Sequence, residues 1–324
     1  MNQAIQLFSL LADGRFHSGE ELGAALGMSR ASVWQHLQNL RGMGVDLHAV
    51  PGRGYRLAES IELLDAALIR ERLGPAAKAL LRKMALLPSV ASTNQWLQEK
   101  GNQGSPSGSV CFAEHQSAGR GRRGRNWVSP LGRNIYCSLL WDFALEMSGL
   151  GGLSLAIGVA VAQAIRNLGA EDVGLKWPND LLLGGRKVGG ILLEVSGELG
   201  GQTRAVIGIG LNFHMDKLAE IDQPWADLRS ALPVGVGRND VAAALVDVLL
   251  PAAARFQEQG FSAFAADWVG FDLVRGRQVV LHMPQRDVCG IALGVDHSGA
   301  LLLEAEGKTE RYYGGEISLR MALE

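Results

Sequence analysis

Apolar residues recur at helical spacing from the start of the chain. Ala4-Ile5, Leu7-Phe8 and Leu10-Leu11 predict a first helix before the turn Asp13-Gly14. Ser18 and Glu21 are spaced as a capping box, and the helix they open carries Leu22, Ala25 and Leu26 up to Gly27, a residue suited to end it in the left-handed conformation. Ser29 caps a third helix, in which Val33, Leu37 and Leu40 form a buried stripe while Ala31, Gln35 and Gln38 point the other way, flanked by Ser32 and Trp34. The period then changes to two: residues 45–50 alternate as a strand, Pro51-Gly52-Arg53-Gly54 turns the chain, and Tyr55-Arg56-Leu57 returns. Three short helices followed by a basic-tipped hairpin predict a winged helix-turn-helix, a motif that places its second helix in the major groove of DNA.

From residue 61 a helical connector runs to Pro75, and a larger alternating region follows. Strand-like runs at 86–90, 110–113, 135–140, 175–177, 188–195 and 205–211 are separated or flanked by helical runs at 92–98, 153–167 and 239–257, which predicts a mixed α/β sheet domain. After Trp268 only short strands remain, at 278–282, 290–295, 301–304 and 311–313, consistent with a small β-barrel-like domain. The expected division is a winged helix-turn-helix over 1–62, a catalytic domain over 63–270 and a C-terminal β domain over 271–324.

Composition narrows the partners. The formal net charge of −2 excludes a generally basic nucleic-acid coat, so any DNA contact must be local. Residues 1–60 hold five Arg against five Asp or Glu, but Arg30, Arg41, Arg53 and Arg56 lie on the third helix and wing, whereas Asp13, Glu20 and Glu21 lie elsewhere. That distribution favours DNA binding, through Arg30, Ser32, Gln35, Gln38 and Arg53, over a small protein-interaction domain. The apolar stretches 150–165 and 241–254 are short for a membrane span and are broken by Gln163 and Asp247, so both are expected to be buried helices. Met1-Asn2-Gln3 shows no secretory pattern, and a cytoplasmic location is expected. Cys111, Cys137 and Cys289 are too scattered for a disulfide framework or a zinc site, and are expected to be buried thiols.

The densest chemical signal is Gly119-Arg120-Gly121-Arg122-Arg123-Gly124-Arg125. It matches the dinucleotide fingerprint formally, but Asn126-Trp127-Val128-Ser129-Pro130 breaks towards a turn where that fingerprint needs a helix. Glycines allow backbone N–H groups to close on an anion and interleaved guanidiniums match phosphate and carboxylate, so the segment suits a polyanion; a mobile basic surface loop is the plainer alternative. Lys176-Trp177-Pro178-Asn179-Asp180 follows where a strand should end, and Lys187 leads into Val188-Gly189-Gly190-Ile191, whose glycine pair suggests close approach by a ligand. Lys near a polyanion would stabilise charge in nucleotidyl transfer, and Asp could orient an incoming amine or hold magnesium.

With these motifs in place the sequence resembles the bifunctional biotin protein ligase and biotin operon repressor family over nearly its whole length. Ser92-Thr93-Asn94, Gln116 with the Arg-Gly loop, residues 176–180 and 186–191, Gly208-Ile209-Gly210-Leu211-Asn212 and Gly314-Gly315-Glu316-Ile317-Ser318 match family motifs in order and spacing. The resemblance implies a ligase domain of the biotin/lipoate ligase type and a C-terminal SH3-like barrel. It also implies that biotin and MgATP form biotinyl-5′-AMP, which a lysine of the biotin carboxyl carrier protein of acetyl-CoA carboxylase then attacks, with no permanently bound cofactor and no metal ligands of the protein's own. By the same resemblance Ser92, Thr93, Asn94 and Gln116 surround biotin, and Arg120, Gly121 and Arg122 grip its carboxylate and the phosphate. Trp127 walls the site, Lys187 is the main catalytic electrostatic group, Asp180 orients the acceptor lysine, and Asn212 and Trp225 lie on the adenosine side. Ser92 could instead simply cap its helix. Arg123 and Arg125 are expected at the loop surface or on pyrophosphate.

Two stretches depart from the family. Trp34 and Gln35 on the outward face of the third helix alter the surface that reads an operator, and the Gly-rich residues 195–204 fall where the family builds its dimer edge. Biotin operator DNA and a ligand-promoted homodimer are nonetheless the partners implied. A biotin-sensing transcription factor without catalysis is an alternative that Lys187, Asp180 and the loop arginines argue against; a lipoate or octanoate ligase of the same fold is another. Because the DNA-binding and ligase motifs occupy separate segments, removal of residues 1–62 is expected to abolish DNA binding and leave ligation largely intact.

Overall fold

The computed structural model describes residues 3–197, 202–215, 221 and 223–321. Three helices, α1 (Gln3–Leu11), α2 (Gly19–Leu26) and α3 (Arg30–Gly42), precede a hairpin of β1 (Leu47–Val50) and β2 (Gly54–Leu57). The local signals act as expected. Ser18 and Glu21 exchange both capping-box bonds, Gly27 ends α2 at φ 64°, and the Ser29 hydroxyl accepts from the Ser32 amide at 3.2 Å. Leu7, Phe8, Leu11, Leu22, Val33, Leu37 and Leu40 close a small core of their own.

Two short helices, α4 (Ala66–Glu71) and α5 (Pro75–Leu80), take the place of the single helical connector, with Pro75 opening the second. The central domain comprises β3 (Lys83–Leu87), α6 (Thr93–Asn102), β4 (Ser109–Ala113), β5 (Ile135–Phe143), α7 (Leu153–Asn167), β6 (Val173–Lys176), β7 (Asp180–Leu183), β8 (Arg186–Gly197), β9 (Thr203–Leu211), α8 (Arg238–Gln259) and α9 (Ala265–Val269). Its sheet has the order β3-β4-β5-β9-β8-β7-β6 and is antiparallel except for the β3–β4 pair. Helices α7 and α8 cover one face. Leu97 of α6 packs with Cys111, Leu140 and Val206 on the other. The apolar segment Met147–Asn167 is long enough to cross a membrane, yet it supplies the core helix α7, most of which is buried under the sheet.

The last strands, β10 (Gln278–His282), β11 (Asp287–Val295), β12 (Leu301–Ala305), β13 (Lys308–Tyr312) and β14 (Ser318–Met321), form an antiparallel sheet in the order β13-β12-β11-β10-β14. A register shift between Ala292 and Gly294 interrupts the β11–β12 ladder, as a β-bulge does. Cys111 and Cys137 are buried, but Cys289 is exposed, because the alternation of β11 turns it away from the small core. Of the Gly-rich stretch, residues 198–201 lie outside the described residues.

The winged helix is not an independent attachment. Leu131, from the segment that follows the Arg-Gly loop, is buried within the winged-helix core beside Phe8. At Gly132, φ is 71° and an added Cβ would stand 2.8 Å from the Phe8 ring. Arg133 pairs with Glu59, and Glu62 accepts from the Arg238 amide and from Asn239 Nδ2 at the start of α8. Arg238 continues to buried Glu114 at 2.8 Å, whose other oxygen accepts from the Leu64 amide. The two halves meet across a junction that is both packed and hydrogen-bonded, so the expectation that residues 1–62 can be removed without affecting ligation bears on contacts shared by both domains.

Candidate active site

The β6–β7–β8 meander carries the charges. Gly184 and Gly185, both at positive φ, form a two-residue turn between β7 and β8. Beyond it the register slips: Asp180 stands opposite Gly190 and Leu181 opposite Gly189, but Leu182 stands opposite Lys187. A one-residue bulge exchanges the faces of a strand. It brings Lys187 onto the face of Asp180, where its ammonium lies 2.7 Å from Oδ1. Lys176, opposite Asp180 on β6, reaches Oδ2 at 2.9 Å. Burial opposes ionisation of Asp180, but Lys187 and Lys176 outweigh it and hold the carboxyl below its usual range. With both oxygens taken by ammonium groups, Asp180 does not suit a magnesium ion, and no cluster of three or more His, Cys, Asp or Glu fit for a metal occurs among the described residues.

Beside this cluster glycines leave much of the sheet's floor bare of side chains. Gly190 pairs with Gly210, and Leu192 with Gly208, across β8 and β9. A Cβ on Gly208 would stand 2.2 Å from Asn94 Oδ1, and one on Gly210 2.6 Å from the Trp127 ring. At the α6 end lies an uncharged polar pocket. Gln116 Oε1 accepts from the Thr93 amide at 2.9 Å and lies 3.1 Å from its hydroxyl, and Gln116 Nε2 donates to Ser129 Oγ at 3.3 Å. Asn94 Nδ2 donates to the Leu192 carbonyl at 3.3 Å, which fixes the amide so that Oδ1 accepts from the Ser138 hydroxyl at 2.6 Å. Ser92 is buried and makes no capping bond, so the capping role does not hold for it.

The Arg-Gly loop is a closed structure in this state. Trp127 donates its amide to Gly119 and Gly121 to Arg125, while Arg123 holds a left-handed φ of 59° at the tip. Arg122 lines the cavity, donates to Asn179 Oδ1 at 2.9 Å, and also bonds the carbonyls of Gly315 and Ile317 in the C-terminal domain. Burial works against its charge, with Asp180 favouring it. Arg120 donates to Gln95 at the lip, and Trp127 stands over the glycine floor with Lys187 Nζ 5.7 Å from its ring centre.

One cavity thus gathers Ser92, Thr93, Asn94, Gln116, Arg120, Gly121, Arg122, Trp127, Asp180 and Lys187. Asn212 and Trp225 do not line it. Asn212 Nδ2 donates to the Ala226 carbonyl at 3.1 Å, and Trp225 bridges the Lys187 backbone, so in this state both fasten the 223–228 segment behind Lys187. Sequence reasoning missed Ser138, whose alternation with buried Cys137 gave no polar signal, and Arg320, which enters from β14. On the winged helix Arg30, Gln35 and Arg53 are exposed, Ser32 and Gln38 are half-buried, and Arg53 stacks 4.2 Å from the Phe16 ring centre. Trp34, 52% exposed, adds an apolar element to the same face.

A helix-turn-helix domain ahead of a mixed sheet with a glycine floor and an arginine loop defines a ligase of the biotin/lipoate class joined to a DNA-binding module. Family models match in the same order: an HTH domain over residues 2–56, the biotin/lipoate A/B protein ligase family over 86–212, and a biotin protein ligase C-terminal domain over 275–320. The chain is 45% identical to the bifunctional ligase/repressor BirA of Salmonella typhimurium, covering 98% of each chain. It is 43% identical to that of Escherichia coli, over 98% of this chain and 97% of the other. The biotin protein ligase of Aquifex aeolicus, solved in complex with biotin and ATP, superposes with a TM-score of 0.65 at 26% identity, covering 75% of this chain and all of the other (100%). The chain belongs to the bifunctional biotin ligase and repressor family.

Proposed function

We propose that this protein activates biotin with ATP, transfers it to a carrier lysine, and represses biotin genes when it holds the intermediate. The observation that carries the reading is the junction, on one glycine floor, of an uncharged hydrogen-bonding pocket with a Lys–Asp–Lys–Arg cluster. A neutral ureido ring suits the first, and the Lys187 and Arg122 cations of the second suit a phosphoanhydride. In adenylation the biotin carboxylate attacks the α-phosphorus of ATP, an O–P bond forms, and pyrophosphate leaves. In transfer the neutral amine of the biotin carboxyl carrier protein attacks the acyl carbon, and AMP leaves with the electron pair of the C–O bond. Lys187 and Arg122 would balance charge on the phosphoryl oxygens, Ser92, Thr93, Asn94 and Gln116 would hold the ring, Arg120 and Gly121 would close on the carboxylate, and Trp127 would wall the tail. Asn212 and Trp225 would reach adenosine only through the segment they fasten. Magnesium would arrive on the phosphates of ATP. These substrates fit a cytoplasmic enzyme, and the family matches and element breaks favour units over 1–62, 63–270 and 271–324. The test is biotin-dependent ATP–pyrophosphate exchange, with lipoate and octanoate as controls; exchange with either acid in place of biotin would overturn the reading.

Gly208→Ala is expected to raise the biotin KM in that assay roughly tenfold or more, because the new methyl meets an Asn94 amide tethered on both sides. Arg122→Gly is expected to leave some adenylate formation but to speed loss of biotinyl-AMP, since one guanidinium fork is removed while the closed loop remains. A dissociation rate equal to that of the unmodified protein would reject the Arg122 role.

A single winged helix with a few local arginines covers only a half-site, so operator binding should need two copies. Biotinyl-AMP is therefore expected to promote a homodimer, by on the order of 1–3 kcal/mol of coupling, and to tighten binding to an inverted repeat. Sedimentation velocity and operator titration with and without biotinyl-AMP measure both; no response in either would remove the repressor role and leave the ligase.

A further inference from the structure

Asp180 carries two ammonium partners where one would neutralise it. Lys187 stands on β8 and Lys176 on β6, each bonded to its own carboxylate oxygen, and the Asp180 side chain is only 13% exposed. Lys176 and Asp180 face each other directly in the hairpin, so the pairing is set by strand register rather than by a flexible loop. The ligase reading above gives Lys187 to the phosphate. A buried carboxylate whose sole partner turns to another anion becomes costly to keep charged.

We propose that Lys176 is a positioning residue for the transfer half-reaction, holding the Asp180 carboxylate in place while Lys187 engages the acyl-adenylate. The incoming carrier lysine must present a neutral nitrogen to the acyl carbon, with an N–H directed to a fixed acceptor. Asp180, anchored from behind by Lys176, supplies that acceptor. As the C–N bond forms and the C–O bond to AMP breaks, the surplus amine proton leaves along Asp180 to solvent. The charged groups facing Asp180 are Lys176, Lys187 and, from the loop, Arg122. Lys176 favours the ionised form, so its removal makes Asp180 easier to protonate and moves the acid limb of transfer to higher pH.

The experiment uses the full chain and compares Lys176→Met, Lys176→Gln and Lys176→Arg in two assays. One is pyrophosphate exchange; the other is single-turnover transfer from preformed biotinyl-AMP to the biotin carboxyl carrier domain across pH. The Met and Gln variants are expected to lose transfer by at least roughly tenfold more than exchange, the scale of one hydrogen bond to a charged group, with the acid limb displaced upward and Arg restoring most of the rate. Parallel losses in both assays would make Lys176 a phosphate contact and overturn the proposal, as would an unmoved acid limb or an Arg variant no better than Met. Absence of biotin-dependent exchange in the unmodified protein would instead remove the ligase reading on which the proposal stands.

Discussion

Replacing Lys187 by Ala is expected to lower adenylate formation by roughly a hundredfold or more, the scale for losing a preorganised donor at the point where charge develops. The bulge between β7 and β8 exists to turn this side chain onto the glycine floor, and its backbone is fixed on the other side by the 223–228 segment, with Ala226 donating to the Lys187 carbonyl at 2.9 Å. Such double anchorage fixes the backbone from which the ammonium reaches, so only the end of the side chain has to move from Asp180 to the phosphate as charge develops. Asp180 keeps Lys176 at 2.9 Å in the variant, so the fold should survive. Pyrophosphate exchange measures the effect. An unchanged rate in a folded Lys187→Ala protein would remove the residue from the chemistry.

Much of this site was legible because its residues declare themselves against their neighbours. Four arginines among three glycines cannot be read as core, and a lysine before a glycine pair in an apolar strand marks a ligand approach. What stayed hidden depended on register. Strand β7 begins at Asp180, directly after a turn signal, and its three apolar residues are too short a run to be assigned as a strand from pattern alone. The bulge that aims Lys187 has no sequence mark. Ser138 reads as one polar residue in a buried strand until the amide of Asn94 is seen beside it. Asn212 has a motif match, but only packing shows that its amide ties a loop instead of lining the cavity. In the fold, caps and apolar periodicity gave the three-helix core and helix α7, whereas β14, four residues long, carries too little pattern to stand out. Segment-by-segment reading also hid the domain junction, because Leu131 belongs by sequence to one domain and by burial to another.

That junction carries the second large effect. Removal of residues 1–62 is expected to destabilise the ligase domain and weaken biotin binding by roughly tenfold or more, as well as abolish specific DNA binding. Leu131, 2% exposed, loses Phe8 and its neighbours, and uncovering one such side chain costs about 1.5–3 kcal/mol. Arg133 loses Glu59, and the start of α8 loses the Glu62 carboxylate that accepts from the Arg238 amide and Asn239. The consequence reaches the ligand because the same short segment serves both places: Ser129 accepts from Gln116 in the ring pocket, two residues before Leu131 enters the winged-helix core. A segment loosened at Leu131 no longer holds Ser129, and the downstream root of the Arg-Gly loop moves with it. Thermal unfolding should show a midpoint lower by roughly 5 °C or more, given the size of this domain. Gly132→Val in the full chain is the finer version, since its side chain drives Phe8 away at a backbone φ of 71° without deleting anything. Biotin titration calorimetry on both proteins reads the coupling directly. A truncated ligase with an unchanged midpoint and unchanged biotin affinity would show that the junction is mere packing and that the two activities are separable.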